Sequence, residues 1–248
     1  YWVLWRRRRH VLLVLTTPLI AAVFIAMLAF YSIFHEGTAI RGRVESFTVL
    51  DQAARQAATR ASVSLYAAGM APAGGLRFSR DTAVILNNDP KASTEANHTV
   101  DLTDTQRLAG GFIQARTPCN FEQASFRAAR ERLSFTHHTD HVTVVNGLGV
   151  TVNALVYRDS LTVFSTDTPL RPGERRDLPV AKDEPGLLDK TRLRPWDGGK
   201  FHGSVHSAPP AGAYVALLER SPFWESGVPE IEERDSFHAV LGYVGGEP

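Results

Sequence analysis

The stretch His141-Val-Thr-Val-Val-Asn-Gly-Leu-Gly-Val-Thr-Val-Asn-Ala-Leu-Val-Tyr157 reads as strand, turn, strand. Branched apolar residues recur at a spacing of two, which puts them on one face of an extended chain. Asn146-Gly147 between the two runs supplies the backbone freedom of a tight reversal. The same texture extends outward in residues 132–136, 161–165, 201–205, 214–218 and 237–244, each short and rich in β-branched or aromatic residues. Turn signals separate them at Arg158-Asp159-Ser160, Arg171-Pro172-Gly173 and Pro209-Pro210-Ala211-Gly212. About seven strands at this spacing predict an antiparallel, Ig-like β-sandwich over residues 125–248. The Cys…Trp…Cys pattern of true immunoglobulin domains is absent, so the likeness is one of architecture only.

Upstream, residues 35–124 read as a mixed α/β region. Leu50, Ala53, Ala54, Ala57, Ala58, Ala61 and Leu65 form a stripe at helical spacing, with Arg55, Gln56, Thr59 and Arg60 off it and Asp51 placed to cap it. Ser62-Val63-Ser64-Leu65-Tyr66 alternates with period two, which makes a hairpin the competing reading; the helix is the favoured one. Ala71-Pro72-Ala73-Gly74-Gly75 is a break, residues 87–100 are polar and loop-like, and residues 101–112 suit a short helix begun by Thr103 or Asp104.

The N-terminal segment is of another kind. Arg6, Arg7, Arg8 and Arg9 precede a run from Val11 to Phe34 without one charged side chain. At about 1.5 Å per residue the run is roughly 36 Å long, against a hydrocarbon core of about 30 Å. This predicts one transmembrane helix over 11–34, with Pro18 in its second turn and residues 1–10 cytoplasmic by the positive-inside tendency. A cleavable signal peptide is the rival, but the apolar run is about twice the usual length, and neither an A-x-A site nor a lipobox cysteine accompanies it. The expected location is a bacterial inner membrane with the C-terminal part periplasmic. Arg6 to Arg9 form the charged end of this anchor. Phe24, Phe30, Tyr31 and Phe34 are candidates to meet lipid, pigment or neighbouring aromatics, and Ala21, Ala22, Ala26 and Ala29 offer close helix packing.

All 26 acidic residues follow the anchor, where they face 23 of the 27 basic ones. So balanced a surface argues against nucleic acid, whose phosphates call for clustered Lys and Arg. The single cysteine, Cys119, rules out an internal disulfide and a C-x-x-C-H haem site; it reads as a buried, inert thiol. There is no G-x-S-x-G, H-E-x-x-H or P-loop sequence, and Gly147-Leu148-Gly149 lacks the third glycine of a dinucleotide turn. The Glu230-Ile231-Glu232-Glu233-Arg234-Asp235 run reads as a solvated charge cluster. No catalytic residue and no cofactor of the chain's own is expected.

Two groups of side chains stand out. His137 and His141, and His202 and His206, are weak candidates to converge on a metal across the sandwich. Phe223 and Trp224 lie in a proline-bounded loop and Trp196 in another; aromatics so placed suit a partner-binding surface or, equally, the cap of the sandwich. The passage Val144 to Asp159 followed by Pro169-Leu-Arg-Pro-Gly173, together with Ala213 to Phe223, resembles the β-domains of uncharacterised single-span bacterial envelope proteins, and the shared motifs are structural. The expectation is a non-catalytic accessory or scaffold subunit of a larger inner-membrane complex, bioenergetic first (photosynthetic or respiratory). Its expected partners are other integral membrane subunits, membrane lipid and a periplasmic electron carrier, with contact to pigments of the host. A transporter accessory protein and a His-metal hydrolase are the alternatives.

Overall fold

The computed structural model describes residues 10–36, 39–69, 72, 74–86, 99–181 and 209–245. A helix, α1 (His10–Glu36), runs for 27 residues with Pro18 inside it. Judged on the described residues, no helix is long and apolar enough to cross a membrane. The apolar side chains from Leu19 to Tyr31 are nonetheless 56% to 68% exposed on every side of α1. A helix lying against this protein's own core would hide one face.

After α1 the described chain is strand and turn: β1 (Ile40–Asp51), β2 (Gln56–Ala67), β3 (Leu76–Phe78), β4 (Thr82–Leu86), β5 (Thr99–Asp101), β6 (Gln106–Ala109), β7 (Pro118–Ala128), β8 (Arg132–His137), β9 (Val142–Gly147), β10 (Val152–Arg158), β11 (Val163–Thr166), β12 (Arg175–Leu178), β13 (Ala213–Leu218), β14 (Glu232–Glu233) and β15 (Phe237–Tyr243). The main sheet has the order β11-β10-β13-β15-β1-β2-β7-β4, with β14 also beside β1. Two small sheets, β12-β9-β8 and β3-β6-β5, cover one face of it. The result is a mainly-β, sandwich-like fold with two apolar clusters. Leu50, Leu155, Tyr157, Tyr214 and Val240 meet Leu133, Val144 and Leu178 in the first. Val44, Val63, Leu65 and Phe121 meet Leu76, Phe78 and Leu108 in the second.

Several expectations are corrected here. The favoured helix over 50–65 is a hairpin, paired in register from Ile40↔Ala67 to Asp51↔Gln56. Ala57, Ala61 and Leu65 recur every four residues, a spacing that lies on one face of a helix and on one face of a strand alike. Ala53, Ala54 and Ala58 are exposed while Leu50, Ala57, Ala61 and Leu65 are buried, so the helical stripe is not buried as one face. Asp51 serves the turn instead: its carboxylate accepts from Ala54 N at 2.9 Å. The short helix expected over 101–112 is the antiparallel pair β5–β6. The mixed α/β region is therefore strand and turn, without a further helix, wherever it is described after α1. The sheet is not purely antiparallel either, since β14 and β15 both run parallel to β1. The main sheet takes strands from both sides of residue 125, and β7 crosses that boundary. The strand expected over 201–205 and the loop residues 87–98 lie outside the described residues.

One loop joins the two clusters. Phe223, 1% exposed, belongs to the first cluster, and Trp224 and Val228 belong to the second. Glu225 accepts from Ser79 N at 2.7 Å and from Ser79 Oγ at 2.6 Å, and Arg77 N donates to Gly227 O at 2.7 Å. Gly227 sits at φ +71°, and a Cβ there would meet the Phe78 ring at 2.6 Å, so only glycine fits. The Gln123 amide, oriented so that its oxygen faces a donor, accepts from Glu225 N at 3.0 Å and donates to Glu225 O at 2.9 Å. Arg127 donates to Pro222 O and stands 5.6 Å from the centre of the Phe223 ring. Phe223→Ala is expected to destabilise the fold by about 3–5 kcal/mol in urea unfolding, the usual loss for a buried Phe. Unchanged stability would mean that the ring is not part of the core.

Candidate functional site

Between the two apolar clusters the inner face of the main sheet turns polar. Ser46, Thr48, Thr59, Gln123, Ser125 and His238 are all buried there. Buried polar groups of this kind are tolerated only when hydrogen-bonded. Thr48 and Thr59 join their hydroxyls across β1 and β2 at 3.0 Å. Ser46 and His238 are directly opposed on the parallel strands β1 and β15. Ser46 Oγ lies 2.7 Å from His238 Nδ1, and His238 Nε2 lies 2.9 Å from Glu233 Oε2.

The backbone makes this chain of three groups possible. β14 leaves β1 after Glu233 and β15 rejoins it at Phe237. In the gap Arg234 N donates to Gly42 O at 2.9 Å, and Asp235 takes a left-handed conformation with φ 51°. Ser236 Oγ accepts from Val44 N at 3.0 Å, in place of a backbone carbonyl. The interruption works as a bulge does: it re-aims the side chains around it, and Glu233 turns back onto His238. Burial raises the Glu233 carboxyl, but the hydrogen bond to His238 and its charge, with help from Ser236 and Arg220, hold it below the usual carboxylate range.

A cavity of about 420 Å³ opens at this place, lined by Glu219, Arg220, Ile231, Glu233, Asp235 and Ser236. Hydroxyl, imidazole and carboxylate in succession are the parts of an activated nucleophile. Here, however, Ser46 is only 3% exposed, and the cavity reaches the carboxylate end of the chain of groups. A substrate in the cavity would meet Glu233 rather than Ser46. What the geometry supplies is a fixed, ionised carboxylate at a cavity wall.

The sequence-derived candidates fall elsewhere. His137 Nε2 is 3.2 Å from Tyr157 OH, and its Nδ1 is 3.7 Å from Asp159. His141 Nδ1 is 2.6 Å from Asp140, its Nε2 is 3.8 Å from Asp177, and its ring stacks on His138 at 4.5 Å. The two carboxylates thus sit at opposite nitrogens of one imidazole. Thr143 holds Asp177 at 2.6 Å and is the main cause of that carboxyl's lowered pKa. Among the described residues no group of three or more ligating side chains suits a metal ion. His202, His206 and Trp196 lie outside the described residues, as do Arg6, Arg7, Arg8 and Arg9.

Phe223 and Trp224 point into the core, so the cap reading of their loop holds and the exposed-surface reading does not. Phe24, Phe30 and Tyr31 are exposed on α1; Phe34 lies within α1, and its side chain is outside the described residues. Burial pushes the Cys119 thiol up to about 11, which keeps it protonated and unreactive near neutral pH.

Sequence reasoning missed Ser46 and His238 and took Glu233 for part of a solvated run. The only local signals were polar residues interrupting the apolar alternation of β1 and a histidine inside the apolar run of β15. Glu233→Gln is expected to destabilise the protein by about 1.5–3 kcal/mol at pH 7, the range for a hydrogen bond to a charged group. A carboxyl held low in the fold contributes in full above its unfolded pKa, near 4.5, and loses that contribution as pH falls through the folded value. The gap between the variant and the parent should therefore narrow below about pH 4 in urea titrations. A pH-independent gap would contradict an ionised Glu233. No protein-family model and no curated protein matches this chain.

Proposed function

We propose that this chain is a membrane-anchored, non-catalytic accessory subunit of a larger bacterial inner-membrane complex, with its β-sandwich presented on the periplasmic side. The observation that carries the reading is the junction of α1 with β1. An apolar helix ends at Glu36, and four residues on, at Ile40, the chain enters a strand in the interior of the main sheet. At most about 14 Å of extended chain separates the two. A 27-residue helix is about 40 Å long and exceeds a bilayer core. Its apolar side chains are exposed all round, which favours lipid or other helices over an amphipathic surface contact. One such helix encloses no polar pathway, so anchoring, bracing and docking are the roles open to it.

A bioenergetic host is the first candidate and a transporter the second. A periplasmic electron carrier is a fitting docking partner in the first case. Extraction of membranes in a mild detergent, followed by a native gel and mass spectrometry of the band, tests this reading. The expected result is a band well above the chain's 27.3 kDa containing multi-span subunits. Pigment or cytochrome subunits select the bioenergetic host, and a permease selects the transporter. A monodisperse monomer with no companion would overturn the proposal.

A further inference from the structure

The cavity beside Glu233 has a feature that the role of His238 does not use up. Residues of both signs line it: Glu219, Glu233 and Asp235 on one side of the balance, and Arg220 on the other. Among the described residues, no hydrogen bond or ion pair joins the side chains of Glu219, Arg220 or Asp235 to any partner. Arg220 acts on Glu233 through its charge alone. Opposite charges that line one cavity without closing on each other leave room for a ligand that carries both.

Glu233 is also built into place more firmly than a surface carboxylate is. A wholly buried imidazole, itself fixed by Ser46, holds one carboxylate oxygen at 2.9 Å. Support of a wall group by a second layer of side chains is what a binding site requires and a solvated charge does not. The bulge at Arg234–Ser236 shapes the same wall.

The place of the cavity in the fold selects the ligand. Gly42 is the register partner of Glu233, and Arg41 is that of Glu232. Gly42 follows the end of α1 by six residues, at most about 21 Å of extended chain. The cavity therefore belongs to the end of the main sheet where the helix joins it. β15 runs in the same direction: Phe237 pairs with Glu45 in the middle of β1, and Tyr243 pairs with Asp51 at its far end, so the start of β15 is its end nearer α1.

We propose that this cavity binds the headgroup of phosphatidylethanolamine, with the carboxylates taking the ammonium and Arg220 the phosphate. The inference rests on the membrane-anchored reading above. A primary ammonium has three N–H donors for carboxylate acceptors. A choline headgroup has none and is recognised by aromatic faces, which this lining lacks. Anionic headgroups would meet three carboxylates with one guanidinium to offset them. The guanidinium is suited to a phosphate, which it can grip with two N–H groups.

The test uses the full chain in vesicles of equal parts phosphatidylethanolamine, phosphatidylcholine and phosphatidylglycerol. Flotation first establishes whether the chain is membrane-bound, and native mass spectrometry after detergent release then reads the retained lipid. Selective retention of phosphatidylethanolamine is expected. Glu219→Gln with Asp235→Asn should lower it about tenfold, the loss of a charge-assisted hydrogen bond. Asn tolerates the left-handed backbone at residue 235, and unchanged thermal unfolding verifies the fold. Arg220→Gln should lower retention as well. A chain that floats but shows no preference, or variants that retain lipid as the parent does, would overturn this inference and leave the anchor standing. A chain that fails to float would overturn both. Binding of water-soluble phosphoethanolamine without retention of the lipid would overturn the membrane source of the ligand.

Discussion

The parallel pairing of β15 with β1 is the constraint on which the rest of the structure depends. β1 is the first strand and β15 the last, and their pairing closes the main sheet between the half built from β2, β7 and β4 and the half built from β13, β10 and β11. A parallel pair cannot be made by a local hairpin, so its register must be fixed by side chains. Ser46 and His238 face each other across the seam, and Glu233 fixes the imidazole from the other side. A slip of one residue would turn His238 to the outer face and Ala239 inward. It would also strand the buried Ser46 hydroxyl and part Glu233 from its partner.

This polar seam explains which parts of the fold the sequence announced. In β9, β10, β13 and β15 the buried positions are mostly Val, Leu, Ala and Tyr, and alternation revealed the strands. In β1 and β2 the inward positions include Ser46, Thr48 and Thr59, polar residues that interrupt the apolar alternation. Ala57, Ala61 and Ala67 take three more of the inward positions, and alanine favours the helical reading. β12, with the sequence Arg-Arg-Asp-Leu, buries only Leu178 and gave no signal. The parallel seam itself was not readable at all, because its two sides are 192 residues apart.

The loop of Phe223 and Trp224 gives a second lesson of the same kind. Its prolines and aromatics were visible, but the direction of the rings was set by groups far away in the chain. Ser79, Gln123, Ser125 and Arg127 all bind its backbone or side chains. With the loop's polar groups satisfied from the sheet, its rings fill the space between the two small sheets. The loop is thus a part of the core, and partner contacts in the proposed complex fall to α1 and to surfaces outside this wedge.

The proposed role links the two unlike pieces of the chain: an all-round apolar helix, and a sandwich entered within a few residues of its end. In-membrane photo-crosslinking from α1 tests that link most directly. A photoreactive phenylalanine analogue at Phe24, which is 62% exposed, samples whatever lies beside the helix in living cells. Adducts to a discrete set of integral membrane polypeptides, lost when the same analogue stands on the sandwich at the buried Phe223, are the expected result. Adducts to lipid alone, or to soluble proteins, would contradict an accessory subunit held in a membrane complex.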